Sequence, residues 1–186
     1  LPSRHVAQQP TRRRTQAGVT LVETTVVASV LAVVTSLAVP SFQDALQRRH
    51  LDGAVAQLET DIHYTRMLAV ATNLPMRISF ETAAGGSCYV IHTGAAGQCR
   101  CSDAGAAVCE GEAQAERSVH FPASGPIALN SNSRSVVFDP TKGTSTPTAT
   151  VQLTAHNGMT VHQVMNVMGR VRSCSPVPTL SGYRAC

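Results

Sequence analysis

Gly18-Val19-Thr20-Leu21-Val22-Glu23 leads into an apolar run that carries no charge from Thr24 to Gln43. Twenty residues of helix span about 30 Å, the thickness of a bilayer's hydrocarbon core. The polar segment before it holds Arg4, Arg12, Arg13 and Arg14, and a basic flank of this kind keeps the N-terminus on the cytoplasmic side. An ordinary secretory signal does not fit. No small-residue cleavage pattern closes the apolar region, and Glu23 sits inside its front edge. A carboxylate there costs about 2.5–3.5 kcal/mol even on the mild insertion scale, so it calls for a partner. A cut after Gly18 would create an α-amino group at Val19, and that amine, on this or a neighbouring subunit, is the natural counter-charge.

Beyond Pro40 the pattern turns amphipathic. Leu51, Val55, Leu58, Ile62 and Ala69 recur at helical spacing with Thr65 on the same face, while Arg48, Arg49, Asp52, Glu59, Asp61 and Arg66 are placed on other faces. Asn73-Leu74-Pro75 ends the pattern. One helix starting at Val19 is therefore expected, its first part in lipid or a fibre core and its second against a soluble domain. His50 and His63 stand too far apart on it to share a ligand.

After Pro75 the period becomes two. Alternation over 76–80, 88–92, 119–121, 135–138, 150–154 and 160–167 predicts about seven short antiparallel strands. Asn157-Gly158 predicts a hairpin with positive φ at both turn positions. The segments 83–86, 94–115 and 141–148 are rich in Gly, Ala, Thr or Pro and are expected as loops. The resulting fold class is α+β, a long N-terminal helix packed on antiparallel sheet.

Ala17-Gly18-Val19-Thr20-Leu21-Val22-Glu23 resembles the class III leader junction of type IV pilins and type II secretion pseudopilins. Val19 stands where Phe or Met is commoner, and Thr24-Thr25 replace the usual leucines. Phe138-Asp139-Pro140-x-x-Gly143 and Val167-Met168-Gly169-Arg170-Val171-Arg172 narrow the resemblance to the GspH/FimT branch, which holds H-type pseudopilins and several minor pilins. The likeness covers the leader, the helix and the last 50 residues, and is weak over 83–130. It implies a leader at 1–18 cut by prepilin peptidase after Gly18, and N-methylation of Val19. It further implies a membrane-spanning half-helix at 19–43, an amphipathic half at 44–73 and a globular domain at 74–186. Pro40 matches a proline that kinks the helix in many pilins. Glu23 and Pro40 would serve assembly with other major and minor pilins. The chain would be anchored once in the inner membrane with its domain in the periplasm, then incorporated into a pilus at the cell surface. A Cys174–Cys186 disulfide closing the C-terminal region is implied in the same way.

Composition agrees with an exported domain plus an appendage. The chain has 186 residues, 43% of them hydrophobic and 14% charged, enough apolar surface for a core and too little charge for a solvated disordered chain. The net charge is +4, and without the four N-terminal arginines acidic and basic residues balance. No acidic residue follows Asp139, whereas Lys142, Arg170, Arg172 and Arg184 do. Six cysteines suit disulfides in an oxidising compartment. Cys88, Cys99, Cys101 and Cys109 are expected to pair among themselves. Cys99-x-Cys101 lacks the Cys-x-x-Cys knuckles of structural zinc sites, so neither metal nor cofactor is expected. No nucleophile elbow, phosphate loop or paired-carboxylate arrangement marks an enzyme.

On a strand, Arg170 and Arg172 would face the same side about 7 Å apart, close to the spacing of phosphates along one DNA strand. Gly169 would leave room for a close approach. A Gly-Arg-x-Arg motif carries DNA binding in members of the resembled branch, so Arg170, Arg172, Arg184 and Lys142 are candidates for holding double-stranded DNA. Three roles stand open at this point: a minor pilin that primes or caps pilus assembly, the same subunit acting as a DNA receptor for uptake, and an H-type pseudopilin of type II secretion.

Overall fold

The computed structural model describes residues 18–102 and 104–186. The expected leader, apart from Gly18, lies outside the described residues. Two compact units divide the chain, Leu1–Ser41 and Phe42–Cys186, and the division falls inside one helix, α1 (Leu21–Thr72).

In the first unit, every described residue of α1 is exposed. The helix is long and apolar enough to cross a membrane. Its hydroxyls do not spoil that property, because each bonds back to its own backbone. Thr24 Oγ1 donates to the Leu21 carbonyl, Thr25 Oγ1 to Val22, Ser29 Oγ to Val26 and Ser36 Oγ to Val33, each at 2.8 Å. A hydroxyl satisfied within its own helix needs no water. The backbone stays helical through Pro40. Asn73 ends α1 in the left-handed region, at φ 55°, the conformation that commonly closes a helix. Pro75 follows and cannot continue it.

The second unit is an α+β domain. Its first sheet has the order β5-β2-β1-β7-β8, built from β1 (Met76–Ala83), β2 (Gly86–Thr93), β5 (Ala115–Pro122), β7 (Ser135–Phe138) and β8 (Ser145–Thr146). The second has the order β12-β11-β10-β9-β6, from β6 (Ile127–Ser131), β9 (Ala149–Ala155), β10 (Thr160–Met165), β11 (Val171–Ser175) and β12 (Arg184–Ala185). A small hairpin joins β3 (Cys99–Cys101) to β4 (Ala107–Cys109). Leu51, Val55, Leu58, Ile62 and Ala69 of α1 form one core with Ile78, Tyr89, Ile91, Leu129, Val136, Phe138, Val151, Leu153 and Val161 of both sheets. β1 and β9 alternate between buried and more exposed positions, as one-sided strands do.

Four local expectations need correction. The expected loop 141–148 contains β8, paired with β7. Asp61 is not on an outer face but fully buried. The segment 94–115 is not a plain loop, since it contains the β3–β4 hairpin held by disulfides. At the Asn157-Gly158 turn only Gly158 has positive φ. There the Gly158 N–H donates to the Ala155 carbonyl at 2.9 Å and the Ala155 N–H to Met159 at 2.8 Å. A turn with a single left-handed glycine before the strand resumes needs no left-handed asparagine.

Candidate functional site

At the start of α1, Thr20 Oγ1 accepts the Glu23 N–H at 3.2 Å. Thr20 is therefore the N-cap of the helix and Glu23 its third residue, the spacing of a capping box. Glu23 also lies in the first turn, where a carboxylate complements the helix dipole. The sequence signal for this cap is Thr20-x-x-Glu23. Gly18, Val19 and Glu23 are all exposed.

Lys142 and Arg170 flank a node built by two glycine turns. In the first, Asp139 Oδ1 accepts the N–H groups of Thr141 and Lys142 at 2.9 and 2.7 Å, and the Gly143 N–H donates to the Asp139 carbonyl at 2.9 Å. In the second, the Gly169 N–H donates to the Asn166 carbonyl at 2.9 Å, and the Asn166 N–H to Arg170 at 3.1 Å. This second turn repeats the construction at Gly158. Arg66 of α1 joins the two, since its Nε donates to the Gly143 carbonyl at 2.8 Å. Ser145 adds its N–H to the Val167 carbonyl and its hydroxyl to Asn166.

That packing corrects the reading of Gly169. The space beside it is taken by the chain itself. A Cβ there would stand 3.0 Å from the Gly143 carbonyl oxygen and 3.2 Å from Arg66 Cδ, at a backbone φ of 70°. Glycine is required by contact and conformation together. Arg170 is likewise not in the strand. It closes the turn, its N–H bonded to Asn166 Oδ1 at 3.0 Å, and β11 begins at Val171.

Lys142 and Arg170 each adjoin one of the two touching glycines, so their backbones are neighbours. Arg172 lies on β11 opposite Val164. Arg184 sits on β12 beside Cys174, about 7 Å along the strand and about 5 Å across from Arg172. All four cations are exposed, and among the described residues none makes an ion pair. Val167 and Met168 are exposed by 53% and 62% at the tip of the second turn.

Cys174 is bonded to Cys186. The loop so closed is seated on α1, where Tyr183 Oη donates to Asp52 Oδ1 at 2.8 Å and the Arg48 guanidinium donates to the Ser181 carbonyl. Burial, and then the Asp52 carboxylate, push the Tyr183 phenol up to about 12. The other four cysteines pair as Cys88–Cys101 and Cys99–Cys109. Glu81 adjoins the Cys88 and Cys101 sulfurs, but the bond between those sulfurs leaves no thiolates for a metal.

A buried polar network escaped sequence reasoning. Asp61 accepts from Tyr89 Oη at 2.6 Å and from the Arg117 guanidinium, which also lies 5.5 Å over the Tyr64 ring. Burial first, then Asp61, raise the Tyr89 phenol above its ordinary range. On the other sheet, Gln163 Nε2 donates to the Val55 carbonyl at 2.7 Å. One helix is thereby tied to both sheets by polar contacts inside the core.

A long helix with an apolar first part, joined to a two-sheet domain, is the architecture of pilins and pseudopilins. The family described as type II transport protein GspH matches residues 54–169, and the chain belongs to that family. The match ends at Gly169, so the apolar half-helix, Arg170, Arg172 and the disulfide-closed C-terminus lie outside it. Among solved structures, the type IV minor pilin FimU of Pseudomonas aeruginosa is similar with a TM-score of 0.50. Identity to it is 14%, over 67% of this chain and 88% of that one, so the likeness is one of fold. No curated protein matches the chain.

Proposed function

We propose that the chain is a minor pilin of a type IV pilus that primes or caps assembly. The observation that carries this reading is the pairing of an exposed apolar half-helix, capped by Thr20 ahead of Glu23, with a GspH-family domain. In this reading prepilin peptidase cuts after Gly18 and the new terminus at Val19 is N-methylated. The half-helix anchors the subunit once in the inner membrane, with the domain in the periplasm. Glu23 then meets the terminal amine of a neighbouring pilin, and Pro40 lies in the part of the helix shared with the fibre. An epitope-tagged chain should appear in sheared pili and vanish from that fraction when the pilus assembly motor is deleted. Recovery only with a type II secretion pseudopilus would assign the H-type pseudopilin role instead. Gly18→Asp should leave the chain at unprocessed size.

A second activity is favoured by four exposed cations that run from the Gly169 turn along β11 to β12, none of them in an ion pair among the described residues. Arg170, Arg172, Arg184 and Lys142 would hold phosphates of double-stranded DNA without reading its sequence. Arg170→Gln with Arg172→Gln should make the slope of log affinity against log salt shallower by about two on duplex DNA. Unchanged binding in that variant would make the arginine pair structural.

A further inference from the structure

The outer face of the first sheet is covered unevenly. β3 packs on β2 and β4 on β5, and beside them opens a cleft of about 660 Å³ bounded by 79–82 of β1, by 96–100 and by 130–135, which runs from the end of β6 to the start of β7. Small-molecule sites usually enclose about 300–1,000 Å³.

The β1 side of this cleft presents hydrogen-bond acceptors. His92 is fully buried, with Nδ1 2.7 Å from the Thr93 carbonyl oxygen and Nε2 2.8 Å from Ser79 Oγ. A carbonyl can only accept, so the ring proton sits on Nδ1 and Nε2 is the acceptor. Burial lowers the His92 pKa and keeps the ring neutral. Ser79 therefore donates its proton inward and can offer the cleft only lone pairs. Glu81 spends one carboxylate oxygen on the Cys101 N–H at 2.9 Å and keeps the other.

Each flank of the cleft carries one cation, Arg100 at 96–100 and Arg134 in the segment 130–135 beside β1. Arg100 and Arg134 are both exposed, and among the described residues neither makes an ion pair. Arg100 stands between Cys99 and Cys101, which are bonded to Cys109 and Cys88 respectively. Two crosslinks thus fix its backbone on both sides, and such preorganisation lowers the entropy lost on binding. Arg134 is held by its carbonyl, which accepts the Phe80 N–H at 2.8 Å.

Acceptors flanked by cations call for a compact ligand with hydroxyl donors and one negative group. Inorganic phosphate keeps only one or two hydroxyls and would set its charged oxygens against the acceptors of Ser79 and Glu81. A neutral sugar would leave both guanidiniums without a counter-charge. We propose that this cleft binds a hydroxylated carboxylate of the sugar-acid class, as a free monosaccharide or as a unit of an acidic polysaccharide. The site is independent of whether the chain serves a pilus or a pseudopilus.

The test is calorimetric titration of the full chain in detergent micelles with D-galacturonate, D-glucuronate, D-galactose, inorganic phosphate and polygalacturonate. At least one uronate should bind saturably and galactose at least about tenfold more weakly, the scale of one charge-assisted hydrogen bond. Phosphate should not compete. Arg100→Gln and Arg134→Gln should each weaken uronate binding about tenfold with an unchanged melting temperature. Tighter binding of polygalacturonate per residue assigns the polymer as source, and equal or weaker binding assigns the free sugar. The proposal is overturned if neither uronate saturates the chain, if galactose binds as well, if phosphate displaces the uronate, or if both glutamine variants bind as the parent does.

Discussion

Hydroxyls bond back to the backbone in both halves of α1, at Thr24 and Thr35 as at Thr60 and Thr72. The charged residues separate the two halves. In 21–41 the only charge is Glu23, at the capped end. In 42–72 Asp52, Asp61 and Arg66 leave the helix to reach Tyr183, Tyr89 and Gly143. A helix face destined for lipid or other helices keeps its polar groups to itself. One that must hold a particular domain in register spends them on directed bonds. The apolar stripe alone fixes neither register nor rotation, because non-directional burial tolerates small slides. The ties to the two sheets and to the C-terminal loop do.

The two halves of α1 differ most at Asp61. Asp61→Ala leaves the Tyr89 hydroxyl buried without a partner, and should cost about 3 kcal/mol, the low end for a broken buried pair because Arg117 is half exposed and can reach water. Chemical denaturation of the parent and variant chains measures it. Cys174→Ser with Cys186→Ser should cost about 2.5 kcal/mol through the freed loop, read from the same experiment. Tyr183→Phe removes one hydrogen bond to a half-exposed carboxylate and should cost about 1.5 kcal/mol at neutral pH, the low end for a charged partner.

The Tyr183 tie is also sensitive to pH. Its phenol is held up to about 12 in the fold, against an ordinary value near 10. The neutral form is the one the fold prefers. The contribution is fully present below about pH 10 and is lost as pH rises through about 12. The parent should therefore lose stability across that window more steeply than Tyr183→Phe. The smallest effect belongs to the first half-helix, where Thr35→Ala should change the domain's stability by less than about 0.5 kcal/mol.

Much of the frame was legible in the residues. The stripe from Leu51 to Ala69 and the stop at Asn73 rest on local periodicity and local conformation, which a sequence carries directly. Fold class followed from the switch of period after Pro75. Asp61 was misplaced because carboxylates are rarely buried unless paired, and its partners Tyr89 and Arg117 lie on strands far along the chain. The turn at Gly169 was missed while its twin at Gly158 was expected, because only the latter carries the Asn-Gly signal. The need for Gly169 arises from Gly143 and Arg66, contacts that exist only after folding. β3 and β4 were hidden for a similar reason. Three residues apiece in a Gly/Ala-rich segment carry no periodicity, and it is the Cys99–Cys109 bond that pairs them.

The division of labour along α1 is tested most directly by Glu23→Ala. The measurement is the fraction of membrane-inserted chain recovered in sheared fibres, taken together with the melting temperature of the same variant. The account predicts normal insertion, an unchanged melting temperature and loss of the chain from the fibre fraction. Recovery equal to the parent would show that the capped, apolar end of α1 does not depend on its one carboxylate for assembly, and would contradict the role given to it here.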